Sequence, residues 1–220
     1  MMRFKKILLF SLLAFFILNT VQSQKFKGEV LAFKKQDSIA FPPTNAILFI
    51  GSSSFTKWKD VSSYFPGYTI INRAFGGSTL LDVIHYEKEV VFPYKPKQIV
   101  IYCGENDIAS SDTINGKTVF ERFKILYGDI RKVYPKTSIV YVSMKPSPSR
   151  WKMKERMING NELISDFIKK QKNTVFVSVW EKMLDSNNQP IPTIFLDDRL
   201  HMNAQGYSIW QKILEPVLLK

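Results

Sequence analysis

The sequence predicts a three-layer α/β/α sandwich built on a five-stranded parallel sheet. Five short runs rich in Ile and Val recur along the chain. Each is apolar on successive residues, the pattern of strands covered on both faces, rather than on alternate ones. Segments with helical spacing separate the runs, and strand–helix alternation on this scale argues for a parallel sheet. A chain of 220 residues that is 45% apolar suits one globular domain with a sizeable core.

The start of the chain differs from the rest. Arg3, Lys5 and Lys6 form a basic head, and Ile7 to Leu18 is apolar apart from Ser11. Val21-Gln22-Ser23 then offers small-residue cleavage chemistry. This is the layout of a secretory signal peptide over residues 1–23, with a mature domain over 24–220. The apolar run is shorter than the roughly 20 residues a spanning helix needs. No cysteine lies near the junction, which argues against a lipid-modified N-terminus. Export places the protein in the periplasm or outside the cell.

The domain opens with "FKGEVLAFKK", whose Phe26, Val30 and Phe33 have helical spacing. "FPPTN" stops that helix, because proline disfavours helix on both sides. "AILFIG" is the first strand, and "YTIINRAFGG" holds the second. The helical segment "STLLDVIHYEKEVV" follows. "KQIVIYCG" is the third strand. Next comes "TVFERFKILYGDIRKVYP", read as a helix with an apolar face of Phe120, Phe123, Ile125, Leu126, Ile130 and Val133. "TSIVYVSMK" is the fourth strand, with helix "ERMINGNELISDFIKKQK" behind it. "NTVFVSVW" is the fifth, and "NAQGYSIWQKILEPVLLK" closes the chain. There is no internal repeat, low-complexity tract or interdomain linker.

Charge and cysteine usage narrow the function classes. The formal charge is +12, falling to +9 once the three basic residues of the leader are removed. The lysines are scattered, not clustered with stacking aromatics, so nucleic acid is not an expected partner. The basic surface suits peripheral contact with anionic membranes. Cys103 is the single cysteine, so no internal disulfide or cysteine metal cage can form. It follows "QIVIY" and reads as a buried strand-end thiol.

In an open α/β sheet, ligands bind beyond the carboxyl ends of the strands. There the sequence places "GSSS", "NRAFGGST", "CGENDIA", "KPSPSRW" and, after a long loop, "FLDDRLHMNAQGY". Acyl transfer needs a nucleophile, a base, a group that orients the base, and donors for an oxyanion. The chain has two histidines. His85 sits in "VIHYEK" and reads as a helix flank. His201 stands three residues after Asp198, and a tight turn lets that carboxylate reach Nδ1 while Nε2 faces a nucleophile. Ser52, Ser53 and Ser54 all remain candidates on position alone.

Taken together, "GSSS", "GG", "GEND" and "DRLH", in this order across residues 46–208, resemble the SGNH hydrolases, the GDSL-like lipases and acylhydrolases. The resemblance implies a flavodoxin-like SGNH hydrolase fold and a serine ester hydrolase that needs no metal or cofactor. It assigns the nucleophile to Ser53, the acid and base to Asp198 and His201, and the oxyanion donors to Ser53 N–H, Gly77 N–H and Asn106. Gly76 competes with Gly77 for the glycine role. The residue chemistry agrees. A glycine lets a backbone N–H approach closely, and one lost oxyanion donor costs ~3 kcal/mol in known cases. Two positions depart from the family pattern: Ser52 replaces the usual Asp after the first glycine, and Ala74 stands where relatives often carry glycine.

Export and the lack of a long apolar lid favour a short acyl group on a carbohydrate or other small ester as substrate. Arg150 and Trp151 are expected to contact the leaving group. A lysophospholipase, another lipid esterase or a thioesterase of the same fold is the alternative. From other classes, a catalytically silent glycan binder is opposed by the intact Ser53, Asn106, Asp198 and His201. A phosphate or flavin binder on the hydroxyl-rich loop leaves "GEND" and "DRLH" without a role.

Overall fold

The computed structural model describes residues 25–220. The leader read over residues 1–23 lies outside them. Helix α1 (Lys27–Ile39) precedes strand β1 (Ile47–Gly51). Two short helices, α2 (Ser53–Thr56) and α3 (Val61–Tyr64), lead to β2 (Ile70–Asn72). After it come α4 (Leu80–His85), α5 (Glu87–Val90) and β3 (Gln98–Tyr102). Then follow α6 (Glu105–Ser110), α7 (Gly116–Val133), β4 (Ser138–Val142), α8 (Lys154–Ile168), β5 (Thr174–Val177) and α9 (Ala204–Leu214).

The five strands form one parallel sheet in the order β2-β1-β3-β4-β5. The chain moves outward from β1 to β2 and then crosses back to β3. The switch point therefore lies between β1 and β3, where ligands bind in doubly wound sheets of this order. The C-terminal ends of β2, β1 and β3 bring residues 77, 53 and 106 to one edge.

Alternation along each strand feeds two cores. Leu48, Ile50, Ile99, Ile101 and Tyr141 face α7 and α8, where Phe123, Leu126, Ile130 and Ile164 are buried. Ile47, Phe49, Val100, Tyr102 and Val142 face the other layer, with Phe55, Trp58, Trp210 and Leu214. These aromatics pack tightly. Trp210 lies edge-on to Tyr102 at 4.8 Å and to Phe55 at 5.9 Å, which ties α9 to the end of β3 and to α2.

The structure corrects the expected buried face of α7. Ile125 and Val133 are 51% and 45% exposed. Val119 and Tyr127 are buried instead, so the stripe runs Val119, Phe123, Leu126/Tyr127, Ile130. Ile125 stands two residues from Phe123, about 200° around the helix, and so faces water. The segment after β2 is two short helices rather than one, with Tyr86 as the break between α4 and α5. The α1 reading holds: Phe26 and Val30 are buried and Phe33 packs against them. Cys103 is a buried free thiol, and burial pushes its pKa well up.

Candidate active site

The β1–α2 turn is built around a glycine. Gly51 has φ +121°, a conformation that L side chains rarely adopt. Ser52 holds the N-cap position of α2 without a side-chain cap bond, and Ser53 is the first helical residue. The Ser53 Oγ is 2.9 Å from His201 Nε2, and His201 Nδ1 is 2.6 Å from Asp198 Oδ2.

The carboxylate and imidazole share one turn. Asp198 Oδ1 accepts the backbone N–H groups of Leu200 and His201, each at 2.9 Å. Arg199, at φ +55°, lets the chain fold back so that both amides meet the same oxygen. Burial pushes the Asp198 pKa up. The hydrogen bonds from the His201 ring and the two backbone N–H groups, with the His201 charge, outweigh burial and bring it down to about 2. Asp198 is therefore a carboxylate across the working pH range, fit to orient an imidazole.

Candidate oxyanion donors lie next to the β1–α2 turn. Among the described residues, no acceptor takes the N–H of Ser53 or of Gly77. Gly76 donates its N–H to Glu29 Oε2 at 2.9 Å, which engages the competing glycine. A Cβ on Gly77 would lie 3.7 Å from Asn106 Nδ2, so these two groups are neighbours. The Asn106 amide donates to Ser78 O at 3.1 Å and to Ser52 Oγ at 2.6 Å. The loop that carries Gly77 is anchored on Gly51 O, which accepts Phe75 N–H at 3.1 Å and Ser78 Oγ–H at 2.9 Å.

Arg150 lies against the residues at the start of α6. Its guanidinium donates to Asn106 Oδ1 at 2.6 Å and to Glu105 Oε2 at 3.2 Å. Trp151 stacks on Trp180, with ring centroids 6.1 Å apart, beneath Lys154 Nζ. No contact joins either residue to Ser53. His85 is exposed and meets the Tyr86 ring edge-on, as a helix-flank residue does.

Reasoning from sequence missed the ionic cluster behind Asn106. Glu105 is buried, and Lys145, 1% exposed, bonds both of its carboxylate oxygens at 3.1 and 3.2 Å. Tyr102 Oη donates to the same carboxylate. Burial pushes Glu105 up, but Lys145, Arg150 and the Tyr102 hydroxyl hold it below its ordinary value. Burial pulls Lys145 down, against the attraction of Glu105. The available signal was a lysine at the end of the apolar run "SIVYVSMK", a charge with nowhere to go but a partner.

A cavity of about 670 Å³ between α8 and β5 is lined by Asn161, Glu162, Phe176 and Trp180 among others. It contains none of Ser53, Asn106 and His201 and has no part in this geometry.

Comparison with known proteins places the chain. The model of the GDSL-like Lipase/Acylhydrolase family matches residues 37–209. No curated protein matches significantly. A structure from Streptococcus pneumonia, named as a platelet activating factor, superposes with a TM-score of 0.79 at 21% identity, covering 94% of this chain and 99% of that one. A GDSL-like lipase from Bacteroides thetaiotaomicron has a TM-score of 0.71 at 19% identity, covering 86% and 96%. An acetyl-xylooligosaccharide esterase from Geobacillus Stearmophilus has a TM-score of 0.64 at 15% identity, covering 81% and 96%. The solved structures share the fold; the match over residues 37–209 carries the assignment, and the chain belongs to the GDSL-like lipase/acylhydrolase family.

Proposed function

We propose that the protein is an exported serine esterase that removes short acyl groups from a carbohydrate or another small ester. Its family supports the coarser statement, a hydrolase acting on esters. The observation that carries the finer one is the line Ser53 Oγ–His201 Nε2, His201 Nδ1–Asp198 Oδ2, with unengaged backbone donors beside it.

In this mechanism Ser53 Oγ attacks the ester carbonyl carbon while His201 Nε2 takes the hydroxyl proton. Asp198 holds Nδ1–H and stabilises the imidazolium. The carbonyl oxygen becomes an oxyanion, received by Ser53 N–H, Gly77 N–H and Asn106 Nδ2–H. The intermediate collapses, the C–O bond to the alcohol breaks, and His201 gives its proton to the leaving oxygen. Water then attacks the acyl-Ser53 ester, His201 accepts its proton, and the acid departs.

The short-acyl reading draws on the leader sequence, on the proline-restrained loops that adjoin the acid–base turn, and on the acetyl-xylooligosaccharide esterase among the structural neighbours. A lipid ester is the second reading, favoured by the basic net charge. The test is intact mass and peptide mapping after exposure to a fluorophosphonate. One adduct on Ser53 is expected, with none in Ser53→Ala. An enzyme that hydrolyses esters yet takes no adduct would remove the serine mechanism.

A further inference from the structure

We propose that Arg150 is a positioning residue for the oxyanion hole: seated on buried Glu105, it pins Asn106 Oδ1 and polarises the amide toward the oxygen that turns negative. This rests on the esterase reading above. It assigns Arg150 a role behind the hole instead of a contact with the leaving group.

A side-chain amide can present either end to a substrate, and only Nδ2 can donate. Two groups fix the choice here. Arg150 carries donors alone, and its Nη2 lies 2.6 Å from Oδ1. The Ser78 carbonyl accepts alone, and it lies 3.1 Å from Nδ2. Both demand the same orientation, so a flip would break two hydrogen bonds at once. The remaining Nδ2 hydrogen is directed to Ser52 Oγ at 2.6 Å. A tetrahedral oxyanion is a stronger acceptor than a neutral hydroxyl and competes for that hydrogen.

Arg150 is held in turn. Its other nitrogen bonds Glu105 Oε2 at 3.2 Å, and the side chain is 15% exposed. Glu105 and Asn106 are consecutive residues at the start of α6, so the two prongs of one guanidinium span both. Lys145 Nζ holds the same carboxylate from the other side. Buried Lys145 and the partly buried Arg150 thus share one carboxylate, which fixes the guanidinium against the amide. A charged donor on Oδ1 strengthens the opposite N–H as a donor, because chained hydrogen bonds polarise one another.

A double-mutant cycle on p-nitrophenyl acetate tests this, with wild type, Asn106→Ala, Arg150→Met, Arg150→Lys and the double variants. Arg150→Met is expected to lower kcat about 10–100-fold with KM within about twofold. Arg150→Lys should also lose most of kcat, since one ammonium cannot span Glu105 and Asn106. In the Asn106→Ala background either Arg150 change should cost less than about twofold, because the group it acts through is gone. Independent losses that multiply, or a rise in KM at constant kcat, would overturn the proposal in favour of direct substrate contact. The cycle is read on the Arg150 variant that keeps the wild-type near-UV dichroism; loss of the fold in both would assign Arg150 a structural role and also overturn it. Failure of the esterase reading looks different: wild type itself would neither turn over esters nor take the fluorophosphonate.

Discussion

Gly51 and Tyr102 touch backbone to backbone where β1 and β3 end: a Cβ added to Gly51 would fall 2.0 Å from the Tyr102 carbonyl oxygen. That oxygen also accepts the Ser52 N–H at 2.9 Å, and Gly51 O anchors the loop bearing Gly77. The close approach is what turns the chain so sharply that Ser53 stands clear of the sheet. Gly51→Ala would meet both the clash and the φ of +121°. The expected loss is more than ~3 kcal/mol, a fall in Tm of about 10 °C or more. A melting curve within a few degrees of wild type would mean that the turn has another conformation open to it.

The three adjacent serines separate by environment. Ser53 faces His201, Ser52 faces Asn106, and Ser54 is buried at 1% exposure beside Tyr102. Ser53→Ala should lower kcat by at least ~10³-fold with Tm little changed. Ser52→Ala removes an acceptor that the oxyanion replaces, so its loss should stay below about tenfold. Ser54→Ala should keep most activity. Kinetics on one ester with all three variants checks the order; an inactive Ser54→Ala beside an active Ser53→Ala would move the nucleophile by one residue.

Much of this was legible in the sequence because it depends on local pattern. "AILFIG", "KQIVIYCG" and "TSIVYVSMK" could be strands on burial alone, whereas the strand order β2-β1-β3-β4-β5 is seen only in the folded sheet. Asp198 and His201 lie three residues apart, so one turn suffices to join them. The cluster of Glu105, Lys145 and Arg150 was not legible, because its members are 40 and 45 residues apart and meet only once β3 and β4 pair. The exposure of Ile125 was missed for a different reason. An apolar residue beside an apolar stripe reads as part of it until the rotation per residue is counted.

Glu87 supplies a pH-dependent term unconnected with the site. It opens α5, and its Oε2 is buried with no hydrogen-bond partner among the described residues. Burial first, and then the charge of Asp129, push its pKa up to about 6. The folded value exceeds the ordinary 4.5, so folding favours the protonated form. The penalty is absent below about pH 4.5, grows as pH rises through 6, and is complete above it. Glu87→Gln should therefore stabilise the protein at pH 8 by about 1 kcal/mol after allowance for solvent screening, or roughly 2–4 °C in Tm. At pH 4 it should change little. An equal shift at both pH values would show that charge is not the cause.

Acyl-chain preference decides between the two substrate readings. The loop after β4 is laced to the acid–base turn, with Ser149 N–H donating to Arg199 O at 3.1 Å. Pro148 opens the short 3₁₀ turn that carries Arg150 and Trp151. In the segment before the acid–base turn, Pro190 pairs with Leu184 in an antiparallel bridge, Ile191 N–H bonds Met183 O at 3.0 Å, and Pro192 opens another 3₁₀ turn. Loops fixed by backbone hydrogen bonds and by proline lose little entropy when substrate binds, and they do not open readily into an acyl tunnel. A short acyl group gains its rate from the pre-set donors. A long one must find apolar surface, for which exposed Leu196, which bonds to His201 within the acid–base turn, is a candidate. On this argument kcat/KM for p-nitrophenyl esters should be highest at C2 to C4 and fall at least ~10-fold by C12. The series from C2 to C16, run below the micelle concentration of each ester, measures it. A maximum at C10 or beyond would put apolar acyl binding ahead of the rigid cleft and move the substrate to a lipid ester.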